Sequence, residues 1–245
     1  MGNFVKEGWD PTLAYLHLLL DEVGSEKRLG NLTNEALRKL GETLKFYPGI
    51  PGLFTDLQAI VKRHSISNPS IEFYVVSGGL LEIIRGSKIA TYLTGIWGCE
   101  FATDADGIVR YPKRVITFTE KTKYIFLINK GLSHKKNVGP YAVNEKMDPE
   151  KRRVPFQNMI YVGDGLTDVP CFSLIQNFQG KGFGVFDPNK EGSPKKGWEK
   201  LVAPKRVLSL NSPKYRKKDD LGALLRAAVN QICVEFELGT REALS

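Results

Sequence analysis

Apolar residues recur at helical spacing through the early part of the chain and gather, from residue 71 onward, into short continuous runs. In WDPTLAYLHLLLDEVG, Leu13, Leu16, Leu20 and Val23 form one stripe. Asp10 is placed to cap that helix, Pro11 suits its first turn and Gly24 its stop. LTNEALRKLGETL sets Leu37, Leu40 and Leu44 on a second amphipathic face. After the break YPGIPG, LFTDLQAIVKRH predicts a third helix through Leu53, Leu57, Ile60 and Val61. The run IEFYVVSGG, closed by Ser77-Gly78-Gly79, then has the pattern of a strand buried on both faces, and a helix-like LLEIIRG follows.

The rest of the chain alternates in the same way. GIWGCEFATDADGIVRYPKRVITFT predicts a β-hairpin near residues 96–118 around the turn DADG. EKTKYIFLINKG predicts a helix with Tyr124, Ile125 and Ile128 inward, and residues 133–157 a long basic loop. MIYVGDG is a further buried strand, TDVPCFSLIQN its helix, and GFGVFDP and RVLSL are two short strands. The closing helix DDLGALLRAAVNQIC carries Leu221, Leu224, Leu225, Ala228, Val229 and Ile232 on one face. Buried strands alternating with helices place the chain in the α/β class, with a doubly wound parallel sheet. The expected division is a mainly helical cap region over residues 1–65 and a core over 66–245.

Composition adds bounds. A chain of 245 residues with 42% hydrophobic and 25% charged residues has the make-up of a globular protein with one good-sized core. LAYLHLLL is too short to span a bilayer, and no apolar leader with a cleavage site argues for export, so the cytoplasm is the expected compartment. Cys99, Cys171 and Cys233 are far apart and read as buried thiols. The net charge of +8 gathers in HKK at 134–136, KRR at 151–153, PKK at 194–196, PKR at 204–206 and YRKK at 215–218. Such clusters are solvated loops or a field that attracts anions. No recognition helix or RNA-binding signature accompanies them, so a small phosphorylated molecule fits the charge as well as nucleic acid does. His17, His64 and His134 show no carboxylate or cysteine partner at ligand spacing, and Trp9, Trp97 and Trp198 read as packing residues.

In sheets of this type ligands collect at the carboxyl ends of strands. Ser77 with the Gly78–Gly79 amides reads as a strand end opening a helix N-terminus, where a hydroxyl and N–H groups can grip phosphate oxygens; the bland reading is a turn. In NMIYVGDGLTDVP, Asp164 leaves its strand between glycines and Asp168 follows one turn later. That pair suits Mg²⁺, which takes a few carboxylates plus water and phosphate, or else simply caps a helix. Lys121, at a helix start between the two strands, can offset charge on a phosphoryl group or lie on the surface.

The order strand-Ser, helix-Lys, strand-Gly-Asp-Gly-x-x-Asp resembles the haloacid dehalogenase-like hydrolase superfamily, most nearly its phosphoserine-phosphatase-like members with a helical cap, over about residues 46–188. The resemblance implies a Rossmann-like core with an inserted or N-terminal helical cap, and a Mg²⁺-dependent phosphatase acting through an aspartyl-phosphate. It implies that Ser77 and Gly78 bind the phosphoryl group and that Lys121 (Lys123 as fallback) stabilises it. Asp164 would be a metal ligand, and Asp168 a ligand or its support. The family's first motif, an apolar strand ending in Asp-x-Asp, supplies the nucleophile. Here Asp104 to Gly107 fits the hairpin turn better, and Asp10 follows no strand. The sequence is therefore expected to be an amino-terminally shortened form with a slot between its strands at 71–76 and 158–162. The alternatives are a non-catalytic phosphate-binding or scaffold protein of the same fold and, from another class, a nucleic-acid-associated protein.

Overall fold

A computed structural model of the protein describes residues 2–64, 68–135 and 137–244, with side chains as far as residue 239. In chain order the elements are α1 (Gly2–Lys6), α2 (Pro11–Asp21), α3 (Asn34–Glu42), α4 (Gly52–Val61), β1 (Tyr74–Leu80) and α5 (Leu81–Arg85). There follow β2 (Gly95–Thr103), β3 (Val109–Arg114), α6 (Glu120–Asn129), β4 (Ile160–Gly163) and α7 (Val169–Asn177). The chain ends with β5 (Lys181–Val185), α8 (Ser193–Gly197), β6 (Ser209–Asn211) and α9 (Asp220–Leu244). The protein is mixed α/β, and among the described residues there are two three-stranded sheets that both contain parallel pairs. It divides into two compact units, Met1–Lys45 with Phe73–Lys121 and Phe46–Glu72 with Thr122–Ser245. No described helix is long and apolar enough to cross a membrane.

In the first unit Asp10 caps α2 as its position predicts, its Oδ1 accepting from the amides of Thr12 (2.8 Å) and Leu13 (3.0 Å). Thr33 caps α3 in the same way through Ala36 N at 3.1 Å. Leu37 of α3 is buried, but Leu40 and Leu44 are exposed. The reason is backbone contact: a Cβ on Gly41 would lie 2.1 Å from Ile83 O, and one on Gly86 1.8 Å from Arg38 O. Helix α3 therefore meets α5 along its glycine face, and the leucine stripe turns away from that contact.

The hairpin β2–β3 forms antiparallel where the sequence predicts it. Asp104 is its turn residue, accepting from the amides of Asp106 (3.0 Å) and Ile108 (2.9 Å) and pairing with Arg110 (2.8 Å). Strand β1 pairs in parallel with β2, Tyr74 to Val76 opposite Gly95 to Trp97. Its side chains before Leu80 are half-buried, where the apolar run predicts burial on both faces. Among the described residues β1 has one strand neighbour, so only one edge is covered.

In the second unit β4, β5 and β6 run parallel in that order. Helix α7 buries Cys171, Phe172 and Ile175. Cys171 and Ile175 pack with Ile125 and Phe156, and Phe172 with Leu201 and Val207. The last strand falls at Ser209–Asn211, just beyond the centre of the predicted RVLSL. In its described residues, which leave out residue 136, the basic loop at 133–157 is irregular, with short 3-10 turns, as its composition predicts. It is nevertheless anchored: Lys130 Nζ donates to Val143 O (2.7 Å) and Glu145 O (2.5 Å), and Arg153 forks onto Glu72. Lys151 pairs with Asp148 at 3.1 Å, so two cations of the KRR cluster are spent on local ion pairs.

Candidate functional site

The predicted site residues fall in two groups. Ser77, Gly78 and Lys121 belong to the first unit, Asp164 and Asp168 to the second. Ser77-Gly78-Gly79 does not open a helix. It lies within β1, and the ladder slips there, Val76 pairing with Trp97 and Leu80 with Cys99, so the three residues form a bulge. The five-residue α5 begins only at Leu81. Ser77 Oγ accepts from Gly79 N at 2.9 Å. Gly78 O accepts from Tyr15 Oη (2.9 Å) and from the Cys99 thiol (3.2 Å). Cys99 Sγ in turn accepts from Ile116 N at 3.3 Å. Burial pushes both the Tyr15 phenol and the Cys99 thiol above their ordinary pKa values, which keeps both groups protonated as donors. Lys121, in the first turn of α6, is buried, with 8% of its surface exposed. An ammonium so placed is a strong local charge in a poorly solvated setting.

In the second unit β4 ends at Gly163, and Asp164 follows with its side chain exposed. Asp168 is 4% exposed and holds the turn together. Its Oδ2 accepts from the amides of Asp164 and Gly165, both at 3.2 Å, and its Oδ1 from Tyr161 Oη at 2.7 Å. A Cβ on residue 163 would sit 2.7 Å from this carboxylate, so the first glycine of Gly-Asp-Gly is there to admit it. Burial, reinforced by the neighbouring Asp168 charge, drives the Tyr161 phenol far above its usual range and keeps it a donor. Asp168 is thus bonded within its own turn and strand, while Asp164 is exposed. An exposed carboxylate at the carboxyl end of a parallel strand fits Mg²⁺ held by one or two protein oxygens, water and phosphate. No group of three or more His, Cys, Asp or Glu at metal-holding distance occurs among the described residues.

Several neighbours of these groups carry no signal in the sequence. Tyr15 and Gly78 are 63 positions apart, and nothing in the helical stripe singles out Tyr15. Tyr215 belongs to the basic segment near the carboxyl end. Burial, then Tyr47, then Asp164 raise its phenol to about 12, so this segment lies within electrostatic reach of Asp164. Its backbone is pinned by Pro48 O (2.7 Å to Tyr215 N) and by Arg226 Nη1 (3.0 Å to Tyr215 O). The histidines depart from their reading as partnerless. His17 faces Asp21 at 3.3 Å, His64 faces Glu237 at 3.2 Å and His134 faces Glu72 at 3.3 Å. The His17 pair is at helical i, i+4 spacing and was legible; the other two are long-range. Trp198 is 60% exposed and is not a core residue, whereas Trp97 stacks on Tyr74 at 5.6 Å and Trp9 on His17 at 5.0 Å. All three cysteines are buried free thiols, as predicted.

The chain matches no protein-family profile. It is similar to an uncharacterized protein of Borreliella burgdorferi (strain ATCC 35210), with 37% identity over 162 residues that cover 60% of this chain and 54% of that protein. The chain thus spans about half the length of the curated relative it matches.

Proposed function

We propose that the protein is a haloacid dehalogenase-like phosphatase, a Mg²⁺-dependent phosphoric monoester hydrolase of Rossmann-like, doubly wound architecture with a helical cap. The observation that supports this most is Asp164, an exposed carboxylate at the carboxyl end of parallel β4 on a turn fixed by the buried Asp168. The bulge at Ser77 and the buried ammonium of Lys121 supply the other chemistry the reading needs.

In this reading the Ser77 hydroxyl and the Gly78 amide hold phosphoryl oxygens, and Lys121 offsets their negative charge. Asp164 is the residue that would hold Mg²⁺, which when bound neutralises charge on the phosphoryl oxygens. Asp168 and Tyr161 keep Asp164 aimed. An aspartate carboxylate attacks phosphorus, the ester oxygen takes a proton from a general acid and leaves as the alcohol, and water, returning a proton to that acid, then cleaves the aspartyl-phosphate to release phosphate. In this reading the attacking aspartate belongs to a longer form of the protein. A small phosphorylated substrate and a cytoplasmic, reducing setting fit the basic clusters and the three free thiols.

The test is phosphate release from 4-nitrophenyl phosphate with Mg²⁺, by this chain and by the chain extended through its upstream reading frame. Turnover is expected from the extended form, falling at least about 100-fold on Asp164→Asn. No turnover from either form, with phosphate still bound, would instead make this a non-catalytic phosphate-binding protein.

A further inference from the structure

Beside the β1 bulge, and sharing Cys99 with it, the first unit holds a cavity of about 160 Å³ between α3, α5 and the hairpin β2–β3. Leu80 forms an apolar part of its wall, while Asn34, Glu82, Arg85, Glu100 and Lys113 bring two carboxylates, two cations and an amide to it. The volume is below the roughly 300 Å³ at which sites for drug-sized ligands begin, so the occupant has few heavy atoms.

Charge narrows the class further. An apolar guest would desolvate four charged groups and compensate none of them. A phosphate or other simple anion would meet Glu100, and a simple cation would meet Arg85 and Lys113. Glu82, 8% exposed, is already committed: Arg38 donates to its Oε2 from Nε (2.8 Å) and Nη2 (2.5 Å), and Arg85 to its Oε1 from Nη1 (2.6 Å). That contact uses one of the five N–H groups of Arg85 and orients its guanidinium. Glu100 has a firm pair with Arg114 at 2.9 Å and a slack one with Lys113 at 3.8 Å, long enough for a guest to replace. Asn34 turns its Nδ2 toward Phe101 O at 3.5 Å, which leaves Oδ1 as an acceptor.

We propose that this cavity binds a small zwitterion of the α-amino-acid type. Arg85 and Lys113 take the ligand's carboxylate, and Glu100 with Asn34 Oδ1 takes its ammonium. The site does not rest on the phosphatase reading, because none of its polar residues serves there.

Calorimetry on the full 245-residue chain with L-alanine, L-serine and L-asparagine tests the proposal, with N-acetyl-L-serine, L-serinamide and inorganic phosphate as comparisons. At least one free amino acid is expected to bind. Blocking either its ammonium or its carboxylate should weaken binding about tenfold or more, as should Lys113→Met or Glu100→Gln. Lys113 is largely exposed, so its replacement leaves the fold intact, which circular dichroism verifies. Absence of binding by all three amino acids would overturn the proposal. So would equal binding of the blocked derivatives, unchanged affinity in Lys113→Met, or phosphate displacing the amino acid.

Discussion

The bulge in β1 and the end of β4 solve one problem by opposite means. Both set a polar residue beside glycine, and both must hold an irregular backbone still. At β1 the hold is distributed: Gly78 O accepts from both Tyr15 and Cys99, and Ser77 Oγ takes the Gly79 amide. At β4 it is concentrated in one buried carboxylate, Asp168, which accepts from two amides and a phenol. A distributed hold survives the loss of any one member, whereas a concentrated one fails at its centre. The same contrast suits the two proposed tasks, since neutral groups suffice behind a phosphate-gripping bulge, while an aimed carboxylate needs a rigid turn.

The contrast can be broken most directly at Asp168. Asp168→Ala leaves two amides and a buried hydroxyl without their acceptor, and is expected to cost about 3–4 kcal/mol in guanidinium denaturation. Tyr161→Phe removes a single donor to a charged acceptor and should cost about 2 kcal/mol. Tyr15→Phe should cost only about 0.5–1 kcal/mol, because the Cys99 thiol still serves Gly78 O. If Tyr15→Phe proves as damaging as Asp168→Ala, the distinction between the two ends is wrong.

A smaller, pH-dependent effect belongs to His64, whose two ring nitrogens face Glu237 and Asn230, both at 3.2 Å. The hydrogen bond to Glu237, then that to Asn230, raise its pKa above the ordinary value of about 6.5. A group raised on folding stabilises fully below its unfolded pKa and loses that contribution as pH rises through the folded value. The difference in denaturation midpoint between the wild type and His64→Ala should therefore be largest below about pH 6.5 and shrink as the solution becomes alkaline. A difference that grows with pH would show the sign to be wrong.

Much of this architecture was legible because it is local. Caps at Asp10, the DADG turn and the helix through Tyr124 and Ile125 are set by residues within a few positions of one another. The helix stripe misled at Leu40 because periodicity reports an apolar face without saying which face meets a neighbour, and here Gly41 and Gly86 decided that. A strand was expected at 71–76 and lies at Tyr74–Leu80; the bulge that carries Ser77 through it was not foreseen, since register depends on a partner strand some 20 residues away. At the candidate site the residue types and their order could be read directly. Which of Asp164 and Asp168 is buried in the turn and which is exposed could not, because it depends on which carboxylate the Tyr161 phenol and the turn amides meet.

The central claim is that Asp164 is the carboxylate this chain presents to a cation. Its most direct test is a Mg²⁺ titration followed through the backbone amide resonances of Gly163 to Thr167. These resonances are expected to move at millimolar Mg²⁺, and Asp164→Asn to abolish the movement while the fold is kept. Resonances that stay fixed, or that shift equally in Asp164→Asn, would contradict it.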